Sequence, residues 1–117
     1  MKHIKQYEEL NNDPKKGDYI LPKVKWNVES AWSYFFNNTI GKINYIKTKD
    51  KDKKVYEIII YYNAEDTLED MKYIKLHPVN KDETIFYYIV PIKKSDFDYS
   101  KNKEELEVKL SANKYNL

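Results

Sequence analysis

Residues 55–62 constrain the fold more than any other part of the chain, because their side chains alternate with a period of two. One face of this segment carries Tyr56, Ile58, Ile60 and Tyr62, and the other carries Val55, Glu57, Ile59 and Tyr61. Such alternation predicts a β-strand with one face against a core, and Glu57 indicates the wetter face. The rest of the chain must therefore supply neighbouring strands and a layer that covers the apolar face.

A helix and a second strand are predicted before this segment. Apolar residues spaced for one helix face predict an amphipathic helix near residues 28–37, with the stripe Val28, Ala31, Trp32, Phe35 and Phe36. Asn27 is placed to cap its start, and Asn37 and Asn38 to end it in the left-handed conformation that asparagine tolerates. We expect the helix to lie over one end of the sheet.

Residues 41–48 follow as a predicted strand, with Ile43 and Tyr45 on one face and Lys42, Asn44 and Ile46 on the other. Residues 47–54 are rich in lysine and predict a charged loop that joins this strand to residues 55–62 as a hairpin.

Further strands are predicted at residues 19–21, at residues 72–76 and at residues 84–92. Pro22 is acceptable only at a strand end or edge. Residues 84–92 are apolar nearly throughout, which predicts a strand that is central or buried on both faces. Asn102 is placed to cap a C-terminal helix, with Glu105 completing a capping box.

These elements predict a mainly β, α+β fold: a small barrel of about five strands, decorated by the helix near residues 28–37 and by a C-terminal helix. A length of 117 residues favours one domain. We assign residues 1–16 to an N-terminal arm, residues 17–100 to the β-barrel domain, and residues 101–117 to the C-terminal helix and tail.

The composition restricts the classes of function. All 21 positively charged residues are lysine, and the formal net charge is only +2. Lysine lacks the planar fork with which arginine reads guanine or clamps phosphate, so sequence-specific reading of DNA is disfavoured. The small net charge also excludes a strongly basic nucleic-acid binder and an acidic mimic of nucleic acid.

Cysteine is absent, so neither disulfides nor thiolate metal sites are expected, and a reducing compartment is favoured. The N-terminus lacks the apolar region of a signal peptide, and no apolar run approaches the ~20 residues that span a membrane. We expect a cytoplasmic protein without a membrane partner.

Four segments occur together in a known group of proteins: GDYI at 17–20, FNNTIGKI at 36–43, YEIIIYYN at 56–63, and a tail that begins YSKNKEEL at 99 and ends KYNL at 117. In these segments the chain resembles the small uncharacterised proteins of tailed-phage and marine metagenomic genomes that carry an SH3-like or KOW-like barrel. The resemblance implies an SH3-like fold, a phage origin and residence in the host cytoplasm. The group has no assigned catalytic residues to carry over. This chain departs from it where the acidic residues 64–70 replace a short helix.

The residues give no pattern for catalysis. His3 and His77 are far apart and lack the spacing of zinc ligands, and residues 65–70 lack the alternation and central glycine of a calcium loop. Two glycines are too few for a phosphate-binding loop or a dinucleotide fingerprint, and no nucleophile motif is present. We therefore expect no enzyme activity, no cofactor and no metal.

The remaining interpretation is a small binding module that contacts another protein, because tyrosine concentrates binding energy at interfaces. With a phage origin, the partner would be a host or virion protein, and an anti-defence role is open by analogy. The candidate contact residues are Tyr45, Tyr56, Tyr61, Lys47, Lys49, Lys51, Glu65 and Asp66. The alternative is a nucleic-acid module of the KOW or OB type that uses the hairpin 42–54 and the strand tyrosines. We expect a monomer or a weak homodimer through a strand edge.

Overall fold

The computed structural model describes residues 13–25, 30–67, 69–72 and 74–115, which form one antiparallel sheet and two α-helices. In chain order the elements are β1 (Tyr19–Pro22), α1 (Ala31–Asn38), β2 (Gly41–Asp50), β3 (Val55–Asn63), β4 (His77–Pro78), β5 (Ile85–Lys93), β6 (Phe97–Ser100) and α2 (Lys103–Tyr115). The sheet order is β4-β5-β3-β2-β1-β6. The expected mainly β, α+β class is confirmed, whereas the sheet has six strands instead of about five and is open.

The sheet is nevertheless strongly curled. Only a 3-10 turn, Lys94–Asp96, separates β5 from β6, although these strands lie towards opposite edges of the sheet. The curl brings the end of β5 to β6 and β1, where the Lys94 ammonium lies 6.0 Å from the Tyr99 ring centroid and the Lys23 amide donates to the Asp96 carbonyl. Phe97 is buried at this junction.

The inner face of the sheet packs on α1, as the apolar stripe of the helix predicted. The Phe35 ring lies 4.8 Å from the Tyr62 ring, and the Trp32 and Phe36 rings lie 4.8 and 5.2 Å from the Tyr88 ring. Tyr62 and Tyr88 both belong to one end of the β3–β5 pair, so α1 covers that end of the sheet. The predicted alternation of β3 is confirmed, since Ile58, Ile60 and Tyr62 are fully buried.

The ends of α1 differ from the expectation. Ser30 caps the described start of the helix by accepting a hydrogen bond from the Ser33 amide, while residues 27 and 28 lie outside the described residues. Neither Asn37 nor Asn38 adopts the left-handed backbone conformation. The helix ends at Thr39, whose backbone is extended. Instead, the Asn37 side chain forms two hydrogen bonds with the backbone of Val24, and Asn38 donates to the Tyr34 carbonyl. The asparagines therefore anchor and cap the helix through their side chains.

A β-bulge in β2 corrects the predicted side-chain pattern. Ile43 pairs with Ile60 and Tyr45 with Ile59, so Asn44 is the extra residue between them. Ile43 is consequently buried, whereas Tyr45 points to the opposite face and is 44% exposed, so the expectation that these two share a face is wrong. The strand also continues to Asp50, and the predicted loop 47–54 shortens to a turn at residues 51–54.

Strand β5 is not buried on both faces. Phe86, Val90 and Ile92 are buried, but Ile89 is 49% exposed. Beyond Tyr87, β5 pairs only with β3, because the described part of β4 contains two residues. The short strand predicted at residues 72–76 is wrong in position, because the strand of this region is His77–Pro78.

Pro91 protects the open edge of β5. The Val79 amide donates to Ile85 on the β4 side, whereas the Ala64 amide donates to Thr84 on the β3 side. Backbone groups alternate between the two sides of an antiparallel strand, so Pro91, like Ile85, directs its groups away from β3. Its missing N–H therefore interrupts no bond to β3 and makes the edge a poorer template for another strand.

The C-terminal helix α2 begins as predicted at Asn102, whose side chain accepts from the Glu104 amide. Glu105 closes the capping box indirectly: the Ser100 hydroxyl donates to its carboxylate and accepts from the Asn102 amide. An ion pair of 3.5 Å joins Lys109 to Asp98, on the outer side of β6. Helix α2 therefore covers the β1–β6 end of the outer face.

The described part of the predicted N-terminal arm, residues 13–16, contacts the sheet through Asp13, which forms a 3.0 Å ion pair with Lys94. The Gly17 amide, at the first residue of the predicted domain, donates to the Ile43 carbonyl. Residues 1–12 of the arm lie outside the described residues. Neither described helix is long and apolar enough to cross a membrane.

Candidate functional site

The outer face of the sheet carries a group of large apolar side chains that the helices leave at the surface. The strand register aligns Tyr45, Ile59 and Ile89 in one row across β2, β3 and β5. The next row aligns Tyr61 with Tyr87. Tyr45 and Ile89 are 44% and 49% exposed, and the other three are half-buried. We name these five residues the outer patch.

Polar and charged groups border the outer patch. His77 extends the Tyr61–Tyr87 row onto β4, with its ring 5.4 Å from the Tyr87 ring. On the other side, Lys42 pairs with Tyr61, and its ammonium lies 5.5 Å from the centroid of the Tyr19 ring. An ammonium at this distance from an aromatic ring is weakly attracted to the ring face. An apolar centre with a polar border is the usual arrangement of a binding surface.

One end of the long strands is basic. The lysines of this end lie on β2, on the turn that follows and at the end of β5; we name Lys47, Lys49, Lys51, Lys53, Lys54 and Lys93 the basic end. They outnumber the nearby carboxylates Asp50, Asp52 and Glu57, and none of them forms an ion pair with a described residue. Their positive charge is therefore available to a partner.

The opposite end of β3 and β5 is acidic. The 3-10 turn Ala64–Asp66 follows β3 and is joined to the β4–β5 turn by the hydrogen bond from the Ala64 amide to the Thr84 carbonyl. The exposed carboxylates here are Glu65, Asp66, Glu69, Asp82 and Glu83, which we name the acidic end. Burial, and then the charge of Glu69, raises the pKa of the adjacent Asp70. Lys72, Lys75 and Lys81 lie nearby, yet within the described ranges no ion pair neutralises these carboxylates.

The structure brings together only part of the predicted contact set. Tyr45, Tyr61 and Lys47 share the outer face, with Lys47 opposite Glu57. Lys49 and Lys51 belong to the basic end, and Glu65 and Asp66 to the acidic end, at the far end of β3.

Tyr56 lies on the inner face instead. Its ring is 6.3 Å from that of Phe97, and burial, followed by the charge of Asp13, raises its pKa. Tyr56 therefore takes part in packing and is separated from Tyr45 and Tyr61 by the sheet.

The sequence interpretation missed the contribution of β5. Tyr87 and Ile89 belong to the outer patch, but they alternate with Phe86, Tyr88 and Val90, which are equally apolar. Alternation in hydropathy is the signal that separates the two faces of a strand, and here it is absent. The register with β3, whose outer face contains Glu57, is what identifies the exposed face of β5.

Within the described ranges, no group of three or more histidine or carboxylate side chains is arranged to hold a metal ion. The outer patch combines apolar area with tyrosine hydroxyls, and lysine side chains border it, an arrangement that suits binding. Comparisons of the chain with protein-family models, with curated proteins and with solved structures find no match in any of the three.

Proposed function

We propose that this chain is a non-enzymatic binding module that contacts another protein through the outer patch. The observation that supports it is the exposure of Tyr45 and Ile89 on either side of Ile59, in one row on the outer face. Exposed tyrosine and isoleucine in a contiguous group are typical of protein interfaces, where tyrosine contributes apolar area at a small cost in conformational entropy.

The fold interpretation that accompanies this proposal is an SH3-like barrel left open between β5 and β6. Three features support it: the meander β2-β3-β5, the 3-10 turn that precedes β6, and the pairing of β6 with β1. Helix α1 is then an insertion between the first two strands. With the phage origin that the resemblance implies, the partner is a host or virion protein, and interference with a host defence is one role of such contacts. This extension rests on analogy.

Site-specific photo-cross-linking tests the protein-binding proposal. A benzophenone amino acid replaces Tyr45 on the outer patch or, as the control, Tyr34, which is 64% exposed on α1. In the cells that encode the chain, the Tyr45 probe is expected to form discrete protein adducts that the Tyr34 probe does not form. Identical adduct patterns from both positions, or none from Tyr45, would overturn the proposal.

The second candidate is binding of single-stranded nucleic acid, and it is favoured by Lys42 and Lys47 lying on the same face as Tyr45 and Tyr61. Aromatic rings stack bases and lysines neutralise phosphates, with an affinity that falls steeply with salt. The test compares binding of a labelled oligonucleotide to a K47E/K49E/K51E variant and to a K72E/K75E/K81E variant. Both variants change net charge equally, so a loss specific to the first supports nucleic-acid binding, and no binding by wild type at low salt removes it.

A further inference from the structure

The charges of the exposed ends and the centre of the outer patch together form a surface that is complementary to itself. The basic end and the acidic end lie at opposite ends of β3, which spans roughly 26 Å at a rise of about 3.3 Å per residue. Ile59 is the middle residue of this strand, and its row contains Tyr45 and Ile89. The apolar row therefore lies midway between opposite charges.

We propose that the partner of the outer patch is a second copy of this chain, bound as a two-fold symmetric dimer with antiparallel strands. This inference rests on the proposed protein-binding function and names its partner. The two-fold axis lies between the two outer faces and runs perpendicular to the strands, over the row Tyr45–Ile59–Ile89. An axis in this direction reverses the strands of the second copy and places each row member near its own counterpart.

The same rotation exchanges the ends of the two sheets. The basic end of each copy faces the acidic end of the other, so two equivalent sets of opposite charges form. In the rows on either side of the axis, Glu57 of one copy faces Tyr61 of the other and Lys47 faces Lys42, so the favourable charge pairs of this arrangement lie at the two ends. An axis parallel to the strands would instead oppose like charges, which weakens association. Charge thus selects the antiparallel arrangement.

Helix α2 is compatible with this arrangement. Strand β1 pairs with β2 only at Gly41 and Lys42, and Lys42 lies opposite Tyr61, near the C-terminal end of β3. The β1–β6 region therefore lies beside the same end of β3 as the acidic end. Helix α2 packs on that region and leaves the middle of β3 and β5 uncovered. After the rotation, the helices of the two copies lie at opposite ends of the interface and do not oppose each other.

The size of the surface indicates a reversible dimer. Adjacent strands are about 4.8 Å apart, so β2, β3 and β5 together present a surface roughly 10–15 Å wide. Over the roughly 26 Å length of β3, this width corresponds to an area of about 250–400 Å², which is smaller than the ~800 Å² per partner of a stable standard interface and belongs to the range of transient contacts. We therefore expect the dimer to dissociate on dilution and on addition of salt, because screening shortens the range of the charge pairs.

Sedimentation equilibrium of the full chain, over a range of protein concentrations at low salt, tests the proposal. Wild type is expected to rise from the mass of one chain towards twice that mass, with absorbance ratios that show no bound nucleic acid. Two reversal variants are then compared: K49E/K51E/K53E at the basic end and E65K/D66K/E83K at the acidic end. Each alone is expected to weaken self-association by about tenfold or more, because like charges then face each other.

Mixing the two reversal variants is the decisive step. In a mixed dimer, every reversed end faces a reversed end of the opposite sign, and every native end faces a native end, so association is expected to return. Circular dichroism of each variant shows whether it is folded, and Tyr45→Ala, at the centre of the patch, is expected to weaken every dimer.

Three results would overturn the proposal. The wild-type chain stays monomeric at all concentrations, or the reversal variants each self-associate as strongly as wild type, or the two reversal variants fail to associate when mixed. If wild type stays monomeric while the Tyr45 cross-linker captures other proteins, the second-copy proposal fails and the protein-binding function stands. If the Tyr45 cross-linker also fails, both fail. Doubling of mass only in fractions that contain nucleic acid would favour the nucleic-acid candidate instead.

Discussion

The hydroxyl group of Tyr62 allows a sharp test of how the core is stabilised. Tyr62 is 1% exposed, and its ring packs 4.8 Å from the Phe35 ring. Its hydroxyl oxygen has no hydrogen-bond partner in the described part of the chain. Burying a polar group without a partner costs about 1–3 kcal/mol. Because Tyr62→Phe removes this cost and keeps the ring, we expect it to raise the free energy of unfolding by about 1–2 kcal/mol.

Urea denaturation followed by circular dichroism measures this difference, and thermal unfolding checks it. A gain of 1 kcal/mol corresponds to a rise in Tm of roughly 3–6 °C for a chain of this length. The matched control is Tyr61→Phe, on the next residue of β3, whose side chain lies on the outer face and is half-buried. This control is expected to change stability by less than about 0.5 kcal/mol.

The pH dependence provides a second readout. Burial raises the pKa of Tyr62, because the ionised phenolate is disfavoured away from water. Below about pH 10, the pKa of tyrosine in an unfolded chain, Tyr62 is neutral in both states and its ionisation does not change the stability of wild type. As the pH rises from there towards the folded pKa, the unfolded chain ionises first and wild type loses stability. The advantage of Tyr62→Phe over wild type is expected to be constant near neutral pH and to grow above about pH 10.

A particular result would refute this reasoning. If Tyr62→Phe is less stable than wild type by about 1 kcal/mol or more, the hydroxyl is hydrogen bonded in solution, since losing such a bond costs this amount. A stability difference that stays constant through pH 10 and above would likewise contradict the burial of the hydroxyl.

Three further substitutions test the elements around the core, each by urea denaturation. Gly41→Ala is expected to cost about 1–3 kcal/mol, because an added Cβ would overlap the Ile60 side chain in a packed core; an unchanged midpoint would contradict that contact. Asn37→Ala is expected to cost about 2 kcal/mol, since it removes two hydrogen bonds to the backbone, while Asn38→Ala, which removes one exposed bond, is the milder control; equal effects would argue against the anchor. Asn102→Ala is expected to cost about 1 kcal/mol by uncapping α2, and Asn102→Asp should retain most of that stability; a loss with both would place the effect elsewhere.

Much of the fold was predictable because it depends on neighbours in sequence. The two faces of β3 follow from its alternation, and the covering role of α1 follows from the spacing of Phe35 and Phe36. The cap at Asn102 could be assigned from the residues of the first turn alone. In each case the pattern lies within about ten residues, where backbone geometry fixes which side chains share a face.

The candidate site was predictable only in part. Tyr45 and Tyr61 were both assigned to it, but the alternation placed Tyr45 beside Ile43, on the face that proves to be buried. Tyr56 was grouped with them, although the alternation along β3 alone places Tyr56 and Tyr61 on opposite faces of the sheet. The exposed face of β5 had no signal in hydropathy, and Tyr87 and Ile89 were therefore missed.

The sequence by itself determined the mainly β class, the position of the strongest strand, the covering helix and the residues available for binding. Only the tertiary structure decided which of those residues meet. Three features depend on residues that are distant in sequence: the bulge at Asn44, the hydrogen bonds between Asn37 and Val24, and the alignment of Tyr45, Ile59 and Ile89. These arrangements depend on strand register and on the packing of the whole core. A one-residue shift in the register of a strand would move all of its outer side chains to the inner face.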